Sequence, residues 1–315
     1  MKNKNRAHVS ELPLHEIQDS VNHIAPGIIL DEPIWLSQFG TSHRLVPNYR
    51  YKNVFFIGDS AHIHNPAGGQ GMNLGLQDVM NLVWKLELVI KGYSKDSILD
   101  TYHEERHFIA SQVISATNKM MNLVTKQGFM IKRARRLLGK SVTSVESVKG
   151  FAANRLTGLK VNYRHSKHAI NHYETALQKH ALQAGDRVPN VYLFTGQESQ
   201  ASLYSIISKY SFTCFIYTTH SEDEKFVQAK KISEYIKEHF YEKVQTCFVL
   251  KNGVPTVEED LAVLIDVRNE LQRKCGLTED SIIVLRQDGV VAFHQVNTDL
   301  EQCVEKLKFW IHPRS

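Results

Sequence analysis

The sequence is poor in cysteine, with only four in 315 residues. No two of them form a C-x-x-C pair and no group of them has the close spacing of a zinc site, which excludes dithiol exchange and a clustered structural zinc. We therefore predict that the thiols are buried as small hydrophobic side chains. They belong to Cys214, Cys247, Cys275 and Cys303.

The chain also lacks a long hydrophobic run. No apolar stretch reaches the roughly 18 residues of a membrane-spanning helix, and residues 1–20 contain no apolar segment of the secretory type. These absences predict a cytoplasmic protein without a membrane partner. Net charge is only +5. We interpret its densest basic run, residues 132–140, as a solvated helix face rather than a nucleic-acid or membrane surface, because no aromatic residues interleave with it.

Two glycine-rich nucleotide fingerprints are missing as well. The spacing Gly69-x-Gly71-x-x-x-Gly75 departs from G-x-G-x-x-G by one residue, and no Gly-Lys-Ser/Thr sequence of a Walker loop occurs near it. These absences argue against a complete Rossmann unit or a P-loop in this chain.

What the chain does contain is a strand, a carboxylate and a glycine loop in succession. Residues 54–57 form an unbroken apolar run that predicts a strand buried on both faces. Asp59 follows its carboxyl end, where open α/β sheets place ligand-binding groups. The glycines of residues 66–71 let backbone N–H groups approach a ligand closely. Apolar residues then recur at three- and four-residue intervals, which predicts a helix that ends at Gly92. They are Leu76, Val79, Met80, Val83, Leu86 and Ile90.

This arrangement predicts a ligand that is part polyol and part anion. A carboxylate accepts hydrogen bonds from hydroxyl groups, and the N–H groups and dipole of a helix N-terminus favour negative charge. A flavin dinucleotide fits both halves, with Asp59 on its ribose or ribityl hydroxyls and the helix start facing the N1–C2=O edge of the ring. A simple phosphate cradle is the competing interpretation.

Residues 58–86, GDSAHIHNPAGGQGMNLGLQDVMNLVWKL, closely resemble the second flavin-contacting motif of class A flavin monooxygenases, the aromatic-ring hydroxylases of the para-hydroxybenzoate and phenol hydroxylase type. The resemblance implies FAD as cofactor and NAD(P)H as co-substrate. It implies that Gly58 and Asp59 contact FAD and that a loop lies along the isoalloxazine ring. The loop residues are Pro66, Gly68, Gly69, Gln70, Gly71, Met72 and Asn73.

Other candidate residues receive structural assignments. His62 and His64 have too few neighbouring ligands for a metal site, and the resemblance implies that His62 positions the turn. Residues 102–106 resemble the Y-x-x-E-R signature of the same family. Glu105 and Arg106 are neighbours on a predicted helix and point in different directions, so we predict a separate ion-pair partner for each. No acid–base catalyst is assigned, because the family's candidates precede the matching region.

A Gly/Asp/Pro cluster at residues 184–189 predicts a domain boundary, with one domain over 1–184 and another over 185–315. Strands and helices alternate in the second. The predicted strands cover residues 192–194, 212–217, 244–250, 261–265, 281–285 and 290–295, and the predicted helices include 201–210, 225–240 and 300–310, with a hairpin across Asp288-Gly289. Residues 282–294 resemble the C-terminal segment of phenol-hydroxylase-like monooxygenases. The resemblance implies a thioredoxin-like α/β domain that serves packing or dimerisation, so a homodimer is one expected assembly.

The fold class expected is therefore α/β, a partial FAD-binding hydroxylase fold without its N-terminal Rossmann unit, followed by the thioredoxin-like domain. The resemblance covers nearly the whole chain but only about the second half of the family's length. It implies an FAD-dependent monooxygenase that hydroxylates a small aromatic, phenol-type substrate with O₂ and NAD(P)H. The chain would be truncated or would work with a separate N-terminal half carrying the G-x-G-x-x-G unit. The alternative is a non-catalytic remnant or interaction protein that uses the thioredoxin-like module.

Overall fold

The computed structural model gives the fold of most of the chain. It describes residues 13–34, 42–64, 69, 71–125, 161–171, 180–195, 200–218, 224–240, 243–251, 263–277 and 280–313. The basic run at residues 132–140 lies outside these ranges. No helix among the described residues is long and apolar enough to cross a membrane.

The N-terminal part consists of one helix and two small antiparallel ladders. Helix α1 spans Leu14–Ile24. Strands β1 (Arg44–Leu45) and β4 (His62–Ile63) pair with each other, as do β2 (Arg50–Tyr51) and β3 (Val54–Phe55). These ladders bring the segment that precedes Asp59 back towards the segment that follows it.

The prediction that residues 54–57 form a strand buried on both faces is wrong. The strand is limited to Val54–Phe55, and Val54 and Ile57 are 54% and 39% exposed. Within the described residues, β3 pairs only with the two-residue strand β2, so nothing covers its outer face. An apolar run therefore indicates a strand here without indicating its burial.

Two long helices pack side by side after the glycine loop. Helix α2 spans Gly71–Ile90, and Gly92 follows it with φ +74°, as predicted for the residue that stops a helix. Helix α3 spans Asp100–Thr125 and is preceded by a 3₁₀ turn over Asp96–Leu99. The sequence predicted a helix that ends at Gly92 and a helix that contains Glu105 and Arg106, and the structure confirms both.

The buried side of α2 is not the apolar stripe that indicated the helix. Leu76, Val79, Met80, Val83 and Ile90 are all exposed, at 57, 38, 59, 55 and 80%. The buried residues are Leu74, Asp78, Asn81, Leu82, Trp84, Lys85 and Leu88. The helix therefore has an inner face that mixes apolar and charged side chains, and an outer face that is largely apolar and uncovered among the described residues.

The C-terminal part is built on a seven-stranded mixed sheet with the order β11-β10-β7-β8-β9-β5-β6. The strands are β5 (Tyr192–Thr195), β6 (Gln200–Ser202), β7 (Phe212–Thr218), β8 (Val244–Leu250), β9 (Val263–Ile265), β10 (Ser281–Leu285) and β11 (Val291–Gln295). Strands β7, β8 and β9 run parallel to one another. Strand β10 is antiparallel to β7, and β11 is antiparallel to β10. Five short or medium helices complete this region: α4 (Lys167–Asn171), α5 (Leu203–Ile206), α6 (Glu224–His239), α7 (Glu270–Cys275) and α8 (Leu300–Trp310).

Most of these elements match the predictions closely, including the hairpin at Asp288-Gly289, where Gly289 has φ +75°. The predicted helix over 201–210 is an exception. Residues 200–202 instead extend the sheet as β6, and only Leu203–Ile206 is helical. The three residues of β6 pair with β5, and that ladder takes the place of the first helical turn.

Alternate residues of β7 face two cores, as the pleat of a strand requires. Phe212, Cys214 and Ile216 belong to one core cluster, and Phe215 and Tyr217 to another. The first cluster also contains Trp84 of α2, whose ring lies edge-on to Phe212 at a centroid distance of 5.5 Å. Helix α2 is therefore packed directly onto the C-terminal sheet.

Candidate functional site

The turn after β3 presents one carboxylate to the outside. Gly58–Ser60 form a single 3₁₀ turn, and Gly58 has φ +56°, a conformation that favours glycine. Asp59 is exposed, and no hydrogen bond joins its side chain to any residue that the structure describes. Its oxygen atoms are free to accept hydrogen bonds from a ligand.

The start of α2 lies against this turn. A Cβ atom placed on Gly75 would be only 3.3 Å from the Cα of Gly58, so the two backbones lie close together and a side chain at Gly75 would push them apart slightly. Gly71 begins the helix, Met72 and Asn73 are exposed, and the first turn contains no acidic residue. The free N–H groups of the helix start therefore have no acidic side chain in their own turn.

Part of the predicted loop is not described. Gly69 has φ +62° and is exposed. Pro66, Gly68 and Gln70 lie outside the described residues. The structure therefore brings Gly58, Asp59 and the start of α2 together, while the position of the remaining loop residues stays a prediction.

Beneath the turn, Asp78 of α2 accepts hydrogen bonds from three sides. Its Oδ2 lies 3.1 Å from the backbone nitrogen of Gly58 and 2.6 Å from Nε2 of His62, and its Oδ1 lies 2.8 Å from Nε of Arg106. Burial alone raises the pKa of Asp78, but the hydrogen bond from His62 and the charge of Arg106 outweigh it and hold the pKa below its ordinary value. Asp78 is thus a buried anion that joins the turn to two further elements.

Arg106 of α3 fixes the first turns of α2 from the other side. Its guanidinium also donates to the backbone oxygen of Leu74 at 3.2 Å, to Gln77 at 3.3 Å and to the hydroxyl of Tyr163 at 3.2 Å. The Arg106 side chain itself is fully buried. A separate ion-pair partner was predicted for Arg106, and the structure shows that this partner is Asp78.

Glu105 has a different set of partners, as predicted from its direction on the helix. It accepts hydrogen bonds from Asn81 at 2.6 Å, from Lys85 at 3.0 Å and from both Nη atoms of Arg286 at 2.7 and 3.1 Å. Burial favours the neutral acid, but the charges of Arg286 and Lys85 outweigh it, so the pKa of Glu105 lies well below its usual range. Burial also lowers the pKa of Lys85 to about 8 despite the attraction of Glu105.

The periodicity of apolar residues gave no indication of these polar partners. Asp78, Asn81 and Lys85 are spaced at i, i+3 and i+7, which places them on one helix face. Without knowledge of their partners on α3, that spacing indicates a solvated polar stripe rather than a buried one. Arg286 follows β10, 181 residues beyond Glu105, so no local pattern links the two.

Metal binding finds no support among the described residues, where no group of three or more histidine, cysteine or acidic side chains is arranged to hold an ion. His62 instead pairs with Asp78, which fits the positioning role that the resemblance implied. The four cysteines are all buried, as predicted.

The residues present fit a flavin dinucleotide. The exposed Asp59 carboxylate suits hydroxyl groups, and the helix start, whose first turn contains no acidic residue, suits the electron-rich edge of the ring. The contact between Gly58 and Gly75 keeps these two features side by side. A phosphate cradle would use the helix start but would leave the carboxylate beside it as an electrostatic penalty.

Comparison with known proteins also supports a flavin cofactor. Residues 5–117 match the family model described as an FAD binding domain. Pentachlorophenol 4-monooxygenase of Sphingobium chlorophenolicum is 31% identical over 248 residues, which cover 78% of this chain and 43% of that protein. Rifampicin monooxygenase of Streptomyces venezuelae is 39% identical over 141 residues, which cover 45% of this chain and 29% of that protein. The chain thus spans less than half the length of these relatives.

Solved structures extend the likeness to the C-terminal part. CabE, an aromatic hydroxylase from angucycline biosynthesis, superposes with a TM-score of 0.69 at 26% identity, covering 99% of this chain and 55% of that chain. The flavin-dependent monooxygenase PieE, solved in complex with FAD and substrate, shares the fold with a TM-score of 0.67 at 18% identity. Residues 5–117 are thus similar to an FAD binding domain, and the proteins that resemble longer stretches of the chain are monooxygenases and aromatic hydroxylases.

Proposed function

We propose that this chain contributes the flavin-contacting corner and the C-terminal module of an FAD-dependent monooxygenase that hydroxylates a small aromatic, phenol-type substrate with O₂ and NAD(P)H. The observation that carries the proposal is the exposed Asp59 carboxylate on a turn held against the start of α2. We place the reaction in the cytoplasm, where NAD(P)H is available.

In this proposal each group at the corner has a separate task. Asp59 accepts hydrogen bonds from the ribose or ribityl hydroxyls, and Gly58 lets the backbone turn beneath them. The N–H groups of Gly71, Met72 and Asn73 face the N1–C2=O edge of the ring and stabilise the negative charge that reduction places there. Pro66, Gly68, Gly69 and Gln70 line the ring. FAD bound at this site supplies the redox chemistry that activates O₂.

We assign no acid–base catalyst to this chain. The titratable groups beneath the corner, Asp78, Glu105 and Arg106, are buried in ion pairs and have no exposed atom with which to reach a substrate. Their chemistry is structural, and the protein's part in the reaction at this corner is to position and to stabilise charge.

The outer face of α2 indicates a missing contact within such an enzyme. Its exposed apolar residues include Leu76, Met80 and Val83 at helical spacing, and Val54 and Ile57 before the Asp59 turn are exposed as well. Contiguous apolar surface of this kind marks an interaction site. We propose that it packs against the part of the FAD-binding fold that carries the G-x-G-x-x-G unit, supplied as a separate N-terminal half.

We further propose a division into domains at residues 184 and 185, with a thioredoxin-like fold in the second. The support is the arrangement of β7, α6 and β8 as a parallel unit, followed by the β10–β11 hairpin and α8. Because the module has no C-x-x-C pair, it acts in packing or dimerisation. The comparisons do not favour the alternative, an interaction protein that uses only this module.

The two candidates differ in flavin uptake. We expect the chain, mixed with a polypeptide carrying the G-x-G-x-x-G unit, to bind FAD and to oxidise NAD(P)H in the presence of a phenolic substrate. Flavin absorbance after gel filtration and NAD(P)H consumption measure the two. A folded mixture that stays free of flavin would contradict the monooxygenase and support the interaction protein.

A further inference from the structure

The orientation of the Asp59 turn depends on a residue that is itself hidden from any ligand. Asp78 is fully buried and accepts the N–H of Gly58, the residue directly before Asp59, at 3.1 Å. Among the described residues, the Ser60 side chain bonds only to the backbone of Ile57, within the turn. The Gly58–Asp78 hydrogen bond is therefore the described link that ties the turn itself to α2.

Two neighbouring residues of α3 hold the framework of this link in place. Arg106 fixes Asp78 at 2.8 Å and also holds the Leu74 carbonyl in the first turn of α2. The hydroxyl of Tyr102 donates to the backbone oxygen of Phe56 at 2.8 Å, just before the turn. Helix α2 thus holds the chain at Gly58, and helix α3 holds it at Phe56, two residues earlier.

Glu105 provides the contrast. It is as deeply buried as Asp78 and lies between the same two helices, but its bonds run to Asn81, Lys85 and Arg286 rather than to the turn. One buried carboxylate faces the candidate cofactor corner, and the other faces the C-terminal sheet. Substitutions at these two carboxylates can therefore separate an effect on the position of the turn from an effect on the stability of the protein.

We propose that Asp78 is a positioning residue of the flavin site, which fixes the Gly58 amide and thereby aims the Asp59 carboxylate at the cofactor. The inference rests on the proposed flavin binding for its functional half. Its structural half, the fixing of the turn by Asp78, stands on the distances alone.

Asp78→Asn tests this assignment with almost no change of volume. If the asparagine oxygen stays with Arg106, its NH₂ group faces the Gly58 N–H and His62, so an acceptor becomes a donor at the turn. A hydrogen bond to a charged acceptor is worth about 1.5–3 kcal/mol, which corresponds to at least about tenfold. We expect amide exchange in residues 55–63 to become at least about tenfold faster and FAD affinity to fall by a similar factor.

Glu105→Gln is the matched control. It removes the same charge from the same pair of helices, so we expect it to lower the melting temperature while leaving exchange in residues 55–63 and FAD affinity within about twofold of wild type. Equal effects of both substitutions on the turn would overturn the proposal, as would a folded Asp78→Asn chain with unchanged exchange at residues 55–63.

A measurement on the unmodified chain covers the case in which Asp78→Asn does not fold. In wild type, the Gly58 amide should exchange at least about tenfold more slowly than in an unstructured chain, although Ile57, Asp59 and Ser60 around it are exposed. An unprotected Gly58 amide would overturn the proposal. If the exchange results hold but wild type takes up no FAD even with its complementing polypeptide, the flavin assignment fails while the fixing of the turn stands.

Discussion

Arg286 and Glu105 form a two-pronged ion pair, with Nη1–Oε1 and Nη2–Oε2 distances of 2.7 and 3.1 Å. The guanidinium lies among the rings of Trp84, Tyr163 and Trp310, at 5.1–5.5 Å from their centroids. Arg286 belongs to the β10–β11 hairpin and Glu105 belongs to α3. The pair therefore joins the C-terminal sheet to the helices that pack under the Asp59 turn. Neither side chain is more than 2% exposed.

Arg286→Met should destabilise the protein strongly. It leaves Glu105 with Lys85 as its remaining cation, and breaking a buried pair by removing one partner costs about 3–5 kcal/mol. We expect a loss of this size in the free energy of unfolding measured with urea. The exposed Arg268 provides the control, since Arg268→Met should change the same quantity by less than about 0.5 kcal/mol. A cost below about 1 kcal/mol for Arg286→Met would show that the pair does not join the two parts.

The outer face of α2 should tolerate charge in the isolated chain. Val83→Lys and Met80→Lys alter residues that are 55% and 59% exposed, so the melting temperature should stay within a few degrees of wild type. Leu82→Lys should unfold the protein, because Leu82 is only 4% exposed.

The same surface variants should lose association with the polypeptide that carries the G-x-G-x-x-G unit, as measured by analytical ultracentrifugation. Retained association of Val83→Lys and Met80→Lys at wild-type strength would place the contact elsewhere.

The acid limb of the stability curve should depend on Glu105. Its pKa is depressed in the folded protein, because the charges of Arg286 and Lys85 outweigh the effect of burial. The stabilisation is therefore present above the unfolded value of about 4.3 and is lost as pH falls below it towards the folded pKa. In wild type we expect the free energy of unfolding to decline below about pH 4, and in Glu105→Gln this decline should be shallower. Identical slopes in the two proteins would contradict the ion pair.

The cysteines should be inert in the folded chain. Burial raises the pKa of the Cys247 and Cys275 thiols to about 12, far above the pH at which thiols are usually labelled. We expect fewer than one of the four to react with a chromogenic disulfide at pH 8 in native buffer, and all four to react in urea. Rapid native labelling would contradict the assignment of Cys214, Cys247, Cys275 and Cys303 as packing residues.

The sequence predicted most of the C-terminal elements because strands such as β7, β8 and β10 are apolar runs that are buried in the sheet. β8 and β10 begin and end at the predicted residues. Short-range signals were sufficient, since the Asp288-Gly289 turn and the helix boundaries are fixed locally. Burial was a different matter: Val54 and Ile57 have the apolar character of a core strand and are exposed.

The face of α2 was beyond prediction for a related reason. Periodicity weighs Leu76, Met80 and Val83 as apolar, but the helix buries Asp78 and Lys85 instead. Their burial is stabilised by Arg106 and by Glu105, which lie on another helix. A stripe of charges at helical spacing is normally solvated, and only the long-range partners make it part of the core.

Titration of FAD into the chain, mixed with the polypeptide that carries the G-x-G-x-x-G unit, tests the proposed flavin site at Asp59 most directly. Wild type should quench flavin fluorescence with a defined dissociation constant. Asp59→Asn should weaken binding by at least about tenfold, because its amide replaces a charged acceptor. Glu301→Gln, which removes an equally exposed charge from α8, should bind FAD as wild type does. Asp59→Asn binding FAD as tightly as wild type would contradict the account.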